Sequence, residues 1–234
     1  LLEFFGYCRG YGLSFAFLMG SIFHLAKAME TGSEKNLRLS LLFMALATFS
    51  NLSLLVTFMI WLAITQFWIF TRGKWKSMLR FHIYSALPLL LAVVISFILK
   101  AKNELYIGQG SIKGTAFTIM SSLTGIADEQ SLLILLIAGS ILGLLALFLV
   151  VKELIQRHTI KEIHSLFATI FILNVVAVQL MSWLLDVPFP SGRTALHWYP
   201  IFIGTLVFTL DRILPNRLQL ISLLILPFII WPQV

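Results

Sequence analysis

The stretch Ser50-Asn51-Leu52-Ser53 divides the longest apolar run of the sequence, which extends from residue 38 to residue 70. As one helix, residues 39–70 would be about 48 Å long, against a membrane hydrocarbon core of roughly 30 Å. Serine and asparagine side chains compete with the backbone for hydrogen bonds, so this stretch favours a break. We therefore predict a helical hairpin with its corner near Asn51 instead of one long helix.

The composition of the chain indicates a membrane protein. Of its 234 residues, 59% are hydrophobic and only 12% are charged, and the mean hydropathy is +0.95. No water-soluble fold buries so much apolar surface. Further apolar runs cover residues 12–29, 82–100, 131–151, 165–185, 197–211 and 218–232. Together with the hairpin, they predict an all-α membrane protein of about eight transmembrane or re-entrant helices, forming a single domain over residues 1–234.

The basic residues support the hairpin, because Lys and Arg concentrate in cytoplasmic loops. With the corner near Asn51, 12 of the 17 basic residues fall on one side of the membrane, whereas one long helix gives a split of 7 against 10. The net charge of +7 is then a signal of topology, and we expect no nucleic-acid partner. We expect an integral protein of the bacterial inner membrane, with basic cytoplasmic loops that contact anionic lipids. These loops are residues 30–38, 71–80, 152–164 and 211–217.

Two longer connections fall on the external side of this topology. Loop 101–130 is polar and rich in glycine, and its half-apolar piece at residues 115–125 predicts a helix in the membrane interface. Loop 186–197 contains two prolines and a glycine, and an aromatic pair follows it. Such a loop suits a rim around a polar ligand, but its aromatic residues are equally typical of interfacial anchors.

Motifs of soluble enzymes do not occur in the sequence: there is no P-loop, no dinucleotide-binding glycine pattern and no paired Cys or His-Glu-x-x-His zinc motif. With one cysteine and five histidines, we expect neither a metal site nor a cofactor. His24 lies inside the first apolar run, where a hydrogen bond to a neighbouring helix competes with ligation of a pigment or haem. Asp128 and Glu129 directly precede a helix, and capping accounts for them without catalysis.

The segment Arg9-Gly10-Tyr11-Gly12-Leu13 leads into the first apolar helix, and Pro188-Phe189-Pro190-Ser191-Gly192-Arg193 precedes the start of another helix at Trp198-Tyr199-Pro200. The first segment resembles the Arg-x-Tyr-x-Leu start of the helix that follows the first external loop in polytopic GT-C glycosyltransferases. The second segment, the short hairpin near Asn51 and the long outer loop are similar to bacterial members of that class. The similar features together touch most of the chain.

This resemblance implies transfer of a sugar from a polyprenyl-phosphate donor on the outer face, by an inverting displacement with a carboxylate as general base. Arg9 and Arg193 would bind the donor phosphate, because a guanidinium matches phosphate oxygens as a fork. Tyr11, His197 and Tyr199 would line the same pocket. The class carries its acidic catalytic residue in the first external loop, so we expect a longer chain with another helix and that loop upstream. We therefore assign no catalytic residue.

Two other functions stay open. The first is a non-catalytic integral membrane subunit of a larger complex, either a degenerate member of the same fold or a pigment-associated protein, with other membrane subunits as partners. The second is a transporter, for which we would expect discontinuous helices in two related halves. The sequence has one broken segment and no convincing repeat. Membrane lipids are partners in every case, and the lipid-linked sugar is a donor substrate in the enzyme hypothesis only.

Overall fold

The computed structural model describes residues 11–72, 75–102, 111–124, 128–157, 163–185, 187–190, 195 and 197–213. These residues form eight α-helices and no strand. The helices are α1 (Tyr11–Thr31), α2 (Glu34–Ser50), α3 (Leu55–Thr71), α4 (Trp75–Ala101), α5 (Ile112–Thr124), α6 (Glu129–Arg157), α7 (Ile163–Leu185) and α8 (Trp198–Ile213). Five of them, α1, α3, α4, α6 and α7, belong to stretches long and apolar enough to cross a membrane. The predicted all-α membrane fold is confirmed.

Several helices extend beyond the apolar runs that predict them. Helix α2 begins at Glu34, α4 begins at Trp75, and α6 continues to Arg157. Charged residues continue a helix readily, and Glu34 lies 3.5 Å from Arg38 one turn later. The described parts of the loops predicted to be cytoplasmic are therefore largely helical. The last predicted helix, at residues 218–232, lies outside the described residues.

The chain divides into two compact units. Unit 1 consists of Leu1–Tyr106 and Gln156–Glu162, and unit 2 consists of Ile107–Ile155 and Ile163–Val234. Unit 1 thus contains α1 to α4, and unit 2 contains α5, α7, α8 and nearly all of α6. The single domain over residues 1–234 stays a prediction.

In unit 1, α1 and α2 form a tight pair. Gly32, at φ 71°, supplies the left-handed residue after α1, and the Ser33 hydroxyl accepts the N–H of Asn36 at 3.4 Å to cap α2. Along the pair, the hydroxyls of Ser21 and Ser40 each donate to the other residue's carbonyl, at 2.9 and 2.7 Å. Both serines are fully buried, so the two backbones approach closely at this point.

The predicted corner at Asn51 is confirmed. Helix α2 ends at Ser50, a 3₁₀ turn covers Leu52–Leu54, and α3 begins at Leu55. The carboxamide oxygen of Asn51 accepts the backbone N–H of Ser53 at 3.2 Å and its hydroxyl at 2.7 Å. These local bonds take the place of helical ones, which is why the chain breaks here. One long helix over residues 39–70 is excluded.

The reversal at the corner brings the two predicted cytoplasmic loops of unit 1 to the same end. Arg72, directly after α3, donates to the carbonyl of Met29 in α1 at 2.9 Å. Arg80, in the first turns of α4, lies 3.6 Å from Glu34 at the start of α2. The hairpin prediction requires this meeting of the loops. Which side of the membrane they face stays a prediction.

Helices α3 and α4 differ in burial within unit 1. Helix α3 packs much of its surface inside the unit, and Phe58 and Trp61 are almost fully buried. The Trp61 ring contacts Phe81 of α4 at 5.8 Å between centroids. Most of the apolar surface of α4 is exposed, including Ile83 and Phe97. Such a surface is stable where lipid surrounds it.

Unit 2 is assembled around aromatic residues of α7 and α8. Phe171 of α7 contacts Trp198 and Phe202 of α8, at 6.3 and 5.5 Å between ring centroids. The ring of Phe167 lies so close to Gly204 that any Cβ at that position would overlap it. Towards its carboxyl end, helix α6 packs through Ala146 and Val150 against Ala168 of α7.

Candidate functional site

The five residues predicted to bind substrate are divided between the two units. Arg9 and Arg193 lie outside the described residues. Tyr11 is the first residue of α1 in unit 1, and His197 and Tyr199 flank the first residue of α8 in unit 2. The described part of the candidate site is therefore the region around the start of α8.

The start of α8 packs inwards against α5. His197 is 2% exposed, and its ring lies edge-on to that of Trp198 at 6.2 Å. Trp198 forms a buried cluster with Ile119 of α5 and with Ala195, and Tyr199 packs against the same cluster. The side chain of Trp198 is thus part of the core of unit 2, which disfavours its alternative interpretation as an interfacial anchor.

The two predicted external segments meet beside this cluster. Thr115 of α5, which is 1% exposed, donates its hydroxyl to the carbonyl of Pro190 at 2.6 Å. Helix α5 falls within loop 101–130 and nearly matches its predicted helical piece at residues 115–125. The contact places the described parts of both segments together within unit 2, as the topology prediction requires. That α5 lies in the membrane interface stays a prediction.

A cavity of about 370 Å³ lies beside the cluster, between α5, α6, α7 and α8. Its wall is almost entirely apolar and receives residues from all four helices. The apolar side chains of the wall are Ile112, Ala116, Ile119, Met120, Leu136, Phe171, Val175, Trp198 and Phe202. His197 and Tyr199 do not line this cavity, although they flank Trp198, which does.

Two glycines of α6 give the cavity its width. A Cβ at Gly143 would meet no atom within 4 Å, so this position faces open space. A Cβ at Gly139 would lie 3.2 Å from Cε of Met120, so this position allows α5 to approach α6 closely. The cavity is therefore open at one glycine and closed at the other, one helical turn away.

Few polar groups border the cavity. The ammonium of Lys113 lies 3.3 Å from the carboxylate of Glu129 and 4.9 Å from the centroid of the Phe117 ring. Trp198 lines the cavity, and its buried Nε1 has no hydrogen-bond partner among the described residues. The other polar lining residue is Ser140, whose hydroxyl donates within α6 to the carbonyl of Leu136 at 2.8 Å. The described wall thus combines a large apolar surface with one cationic side chain. This arrangement suits an amphipathic ligand with an anionic end.

Sequence reasoning did not identify the residues that shape this cavity. Lys113 lies in the predicted external loop 101–130, to which no ligand is assigned, and Gly139 and Gly143 form a small-x-x-x-small pattern that is usually a helix-packing signal. A glycine that closes a helix contact can be told from one that leaves space only when the position of the neighbouring helix is known.

Other titratable candidates have structural partners. His24 contacts Asn36 of α2 at 3.3 Å through Nδ1, and its ring stacks on that of Phe43 at 5.4 Å between centroids. These contacts agree with the predicted hydrogen bond to a neighbouring helix. Asp128 accepts the backbone N–H of Ser131 at 2.8 Å, and this bonding to Ser131 lowers the carboxyl pKa. Its predicted capping role is confirmed. Within the described ranges, no three His, Cys, Asp or Glu residues are grouped to hold a metal ion.

Comparisons with known proteins do not assign the chain to a family. No family model matches it, and neither the curated proteins nor the solved structures contain a significant match.

Proposed function

We propose that the chain is a membrane glycosyltransferase-like protein that transfers a sugar from a lipid-phosphate donor on the non-cytoplasmic face, and that the unit 2 cavity receives part of the donor lipid. The observation that carries this proposal is the apolar cavity with Lys113 among its lining residues. A polyprenyl phosphate is a long apolar chain that ends in an anion. A site for it therefore needs an apolar wall beside a cation.

The size and the wall of the cavity favour a lipid over a polar solute. Its volume of about 370 Å³ is in the lower part of the roughly 300–1,000 Å³ range of small-molecule sites. A segment of a lipid chain fits this space, and the remainder of the chain would stay in the bilayer. A free sugar or ion would lose water without gaining hydrogen bonds from such a wall. The wall therefore also argues against the transporter hypothesis for polar solutes.

The charge at the cavity supports an anionic head group. The side chains of Lys113 and Glu129 are 60% and 76% exposed, and ion pairs this exposed contribute little to stability. A phosphate can therefore replace the carboxylate beside Lys113 at little cost. Helix α5 begins at Ile112, one residue before Lys113, and the positive end of its dipole adds to the attraction for a phosphate.

The sequence resemblance supplies the remaining part of the proposal. Arg9 and Arg193 are proposed to bind the donor phosphate, and Tyr11, His197 and Tyr199 to contact the donor or the acceptor. No general base is proposed among the residues of this sequence. The proposal includes the bacterial inner membrane as location, with the predicted basic loops on its cytoplasmic side.

Photolabelling tests the lipid site. The purified protein in nanodiscs is irradiated with decaprenyl phosphate that carries a diazirine in its chain, and the labelled peptides are identified by mass spectrometry. We expect labelling of α5 and α6 in the wild type and in Gly143→Ala, and loss of most labelling in Gly143→Phe, whose ring fills the cavity. The proposed lipid site would be contradicted if Gly143→Phe were labelled as strongly as the wild type. It would also be contradicted if the uncharged polyprenol labelled the wild type as strongly as decaprenyl phosphate does.

Sugar transfer is measured separately, as polyprenyl phosphate released from polyprenyl-phosphate sugars by membranes that contain the full chain. We expect Arg193→Ala to abolish release while expression is unchanged, and unchanged release would remove Arg193 from the mechanism. If the wild type is photolabelled but releases no polyprenyl phosphate, the proposed enzymatic activity is contradicted. Stable co-purification with other membrane proteins in that case would favour the non-catalytic subunit.

A further inference from the structure

A second concave surface lies in unit 1, between α2 and α4. This groove has a volume of about 480 Å³ and shares no residue with the cavity of unit 2. Most of its wall is apolar. Leu42, Leu46 and Phe49 contribute from α2, and Leu87, Pro88 and Leu91 contribute from α4.

The groove is polar at one end only. Along α2 its lining begins at Arg38 and ends at Phe49, a distance of about 16 Å at the helical rise. Along α4 it begins at Tyr84 and ends at Leu91. Arg38 and Tyr84 lie at the same end, with the guanidinium 5.7 Å from the ring centroid. The groove therefore has the polarity of a membrane lipid: a charged head beside a long apolar channel.

The charges at that end favour an anion. Arg38 and Arg80 approach the same carboxylate, that of Glu34, at 3.5 and 3.6 Å. Two guanidinium groups thus face one carboxylate, which leaves a local excess of one positive charge. The side chains of both arginines are more than half exposed, and each guanidinium has five N–H donors. Donors therefore remain for the oxygens of a phosphate.

We propose that this groove binds one anionic glycerophospholipid, with its phosphate at Arg38 and Arg80 and one acyl chain along α2 and α4. The anionic lipid is favoured over a zwitterionic one, because only a net negative head group complements the arginine excess. It is also favoured over a free phosphate, because the apolar wall holds the chain. The predicted topology places this end at the cytoplasmic leaflet, where anionic lipids attract basic residues. The proposal does not depend on the function proposed for unit 2.

Native mass spectrometry of the full chain tests the proposal. The protein is reconstituted with phosphatidylglycerol and phosphatidylcholine of identical acyl chains, and the retained lipids are counted. We expect preferential retention of phosphatidylglycerol by about tenfold in the wild type and nearly equal retention in the variant with Arg38→Gln and Arg80→Gln. Lys27→Gln is the charge control, because Lys27 lies on α1 against the ring of Phe23 and outside the groove.

A matched pair of apolar variants tests the channel without changing charge. Leu87 and Leu90 of α4 are 63% and 61% exposed, but only Leu87 lines the groove. We expect Leu87→Trp to reduce phosphatidylglycerol retention at least threefold and Leu90→Trp to retain the wild-type amount. Equal retention of both lipids by the wild type would overturn the proposal. So would a double arginine variant, or a Leu87→Trp variant, that binds phosphatidylglycerol as the wild type does.

Discussion

Units 1 and 2 both use small residues to bring helices together, but unit 2 also leaves one of them open. In the α1–α2 pair, Ser21 and Ser40 bring two helices together and bond them to each other, which leaves no space between them. In unit 2, Gly204 receives the ring of Phe167, whereas Gly143 faces open space. Small residues thus close helix contacts in both units, and Gly143 alone of those compared leaves space, which opens the cavity of unit 2. What decides the outcome is the side chain that the neighbouring helix presents.

The largest effect on stability is expected at Gly204, where a neighbouring side chain already occupies the space that a Cβ would need. Gly204→Ala would place a Cβ in overlap with Phe167, and we expect a loss of about 2–3 kcal/mol in the free energy of unfolding. Gly143→Ala is the matched control and should leave stability unchanged or slightly raised, since nothing lies within 4 Å and alanine favours helix. Thermal unfolding in detergent measures both variants. Equal melting temperatures would show that the two glycines have the same role.

A smaller effect is expected in the serine pair of unit 1. Ser21→Ala or Ser40→Ala removes one of the two reciprocal bonds and should cost about 1 kcal/mol, the usual scale between membrane helices. The two hydroxyl oxygens also lie 3.2 Å apart, and because this contact needs both side chains, a double-mutant cycle should give a favourable coupling energy. Ser96→Ala is the control, since Ser96 donates within its own helix to Ala92. Strict additivity of the two serine substitutions would contradict the coupling.

The smallest effect is expected at the start of α6 in unit 2. Bonding to Ser131 lowers the pKa of Asp128 below its usual value. The ionised capping carboxylate therefore stabilises the fold in full at pH values above the usual pKa of an aspartate. This contribution is lost as the pH falls through the lowered pKa. Asp128→Ala should therefore melt slightly below the wild type at pH 7, and the difference should shrink in acid. A melting difference that grows on acidification would contradict this assignment.

The corner at Asn51 could be predicted from the sequence because its cause is local. The side chain of Asn51 bonds to Ser53 two residues later, and the charge distribution independently requires a reversal there. The ends of the helices are harder to predict from the sequence. Apolar runs mark the part of a helix in the membrane core, whereas the helices continue into charged flanks such as Glu34 to Arg38.

The cavity of unit 2 could not be predicted, because its cause is tertiary. Whether Gly143 leaves space depends on α5, which belongs to a segment that the sequence marks only as a long loop with one helical piece. The sequence points to His197 and Tyr199 at the start of α8, but only Trp198 between them lines the cavity, and the substrate-binding role of the two predicted residues stays a prediction.

The corner at Asn51 has a consequence for the membrane around unit 1. Helix α2 has 17 residues, so at the helical rise it is about 26 Å long, less than the roughly 30 Å of an average hydrocarbon core. In the predicted topology α2 crosses the membrane, and there this shortfall would be a hydrophobic mismatch, which a bilayer relieves by thinning beside the short helix. The carboxamide oxygen of Asn51 already bonds to Ser53, whereas its Nδ2 is buried with no hydrogen-bond partner among the described residues, so part of the polar corner is unsatisfied at depth. The chain should therefore reside more stably in thin bilayers than in thick ones.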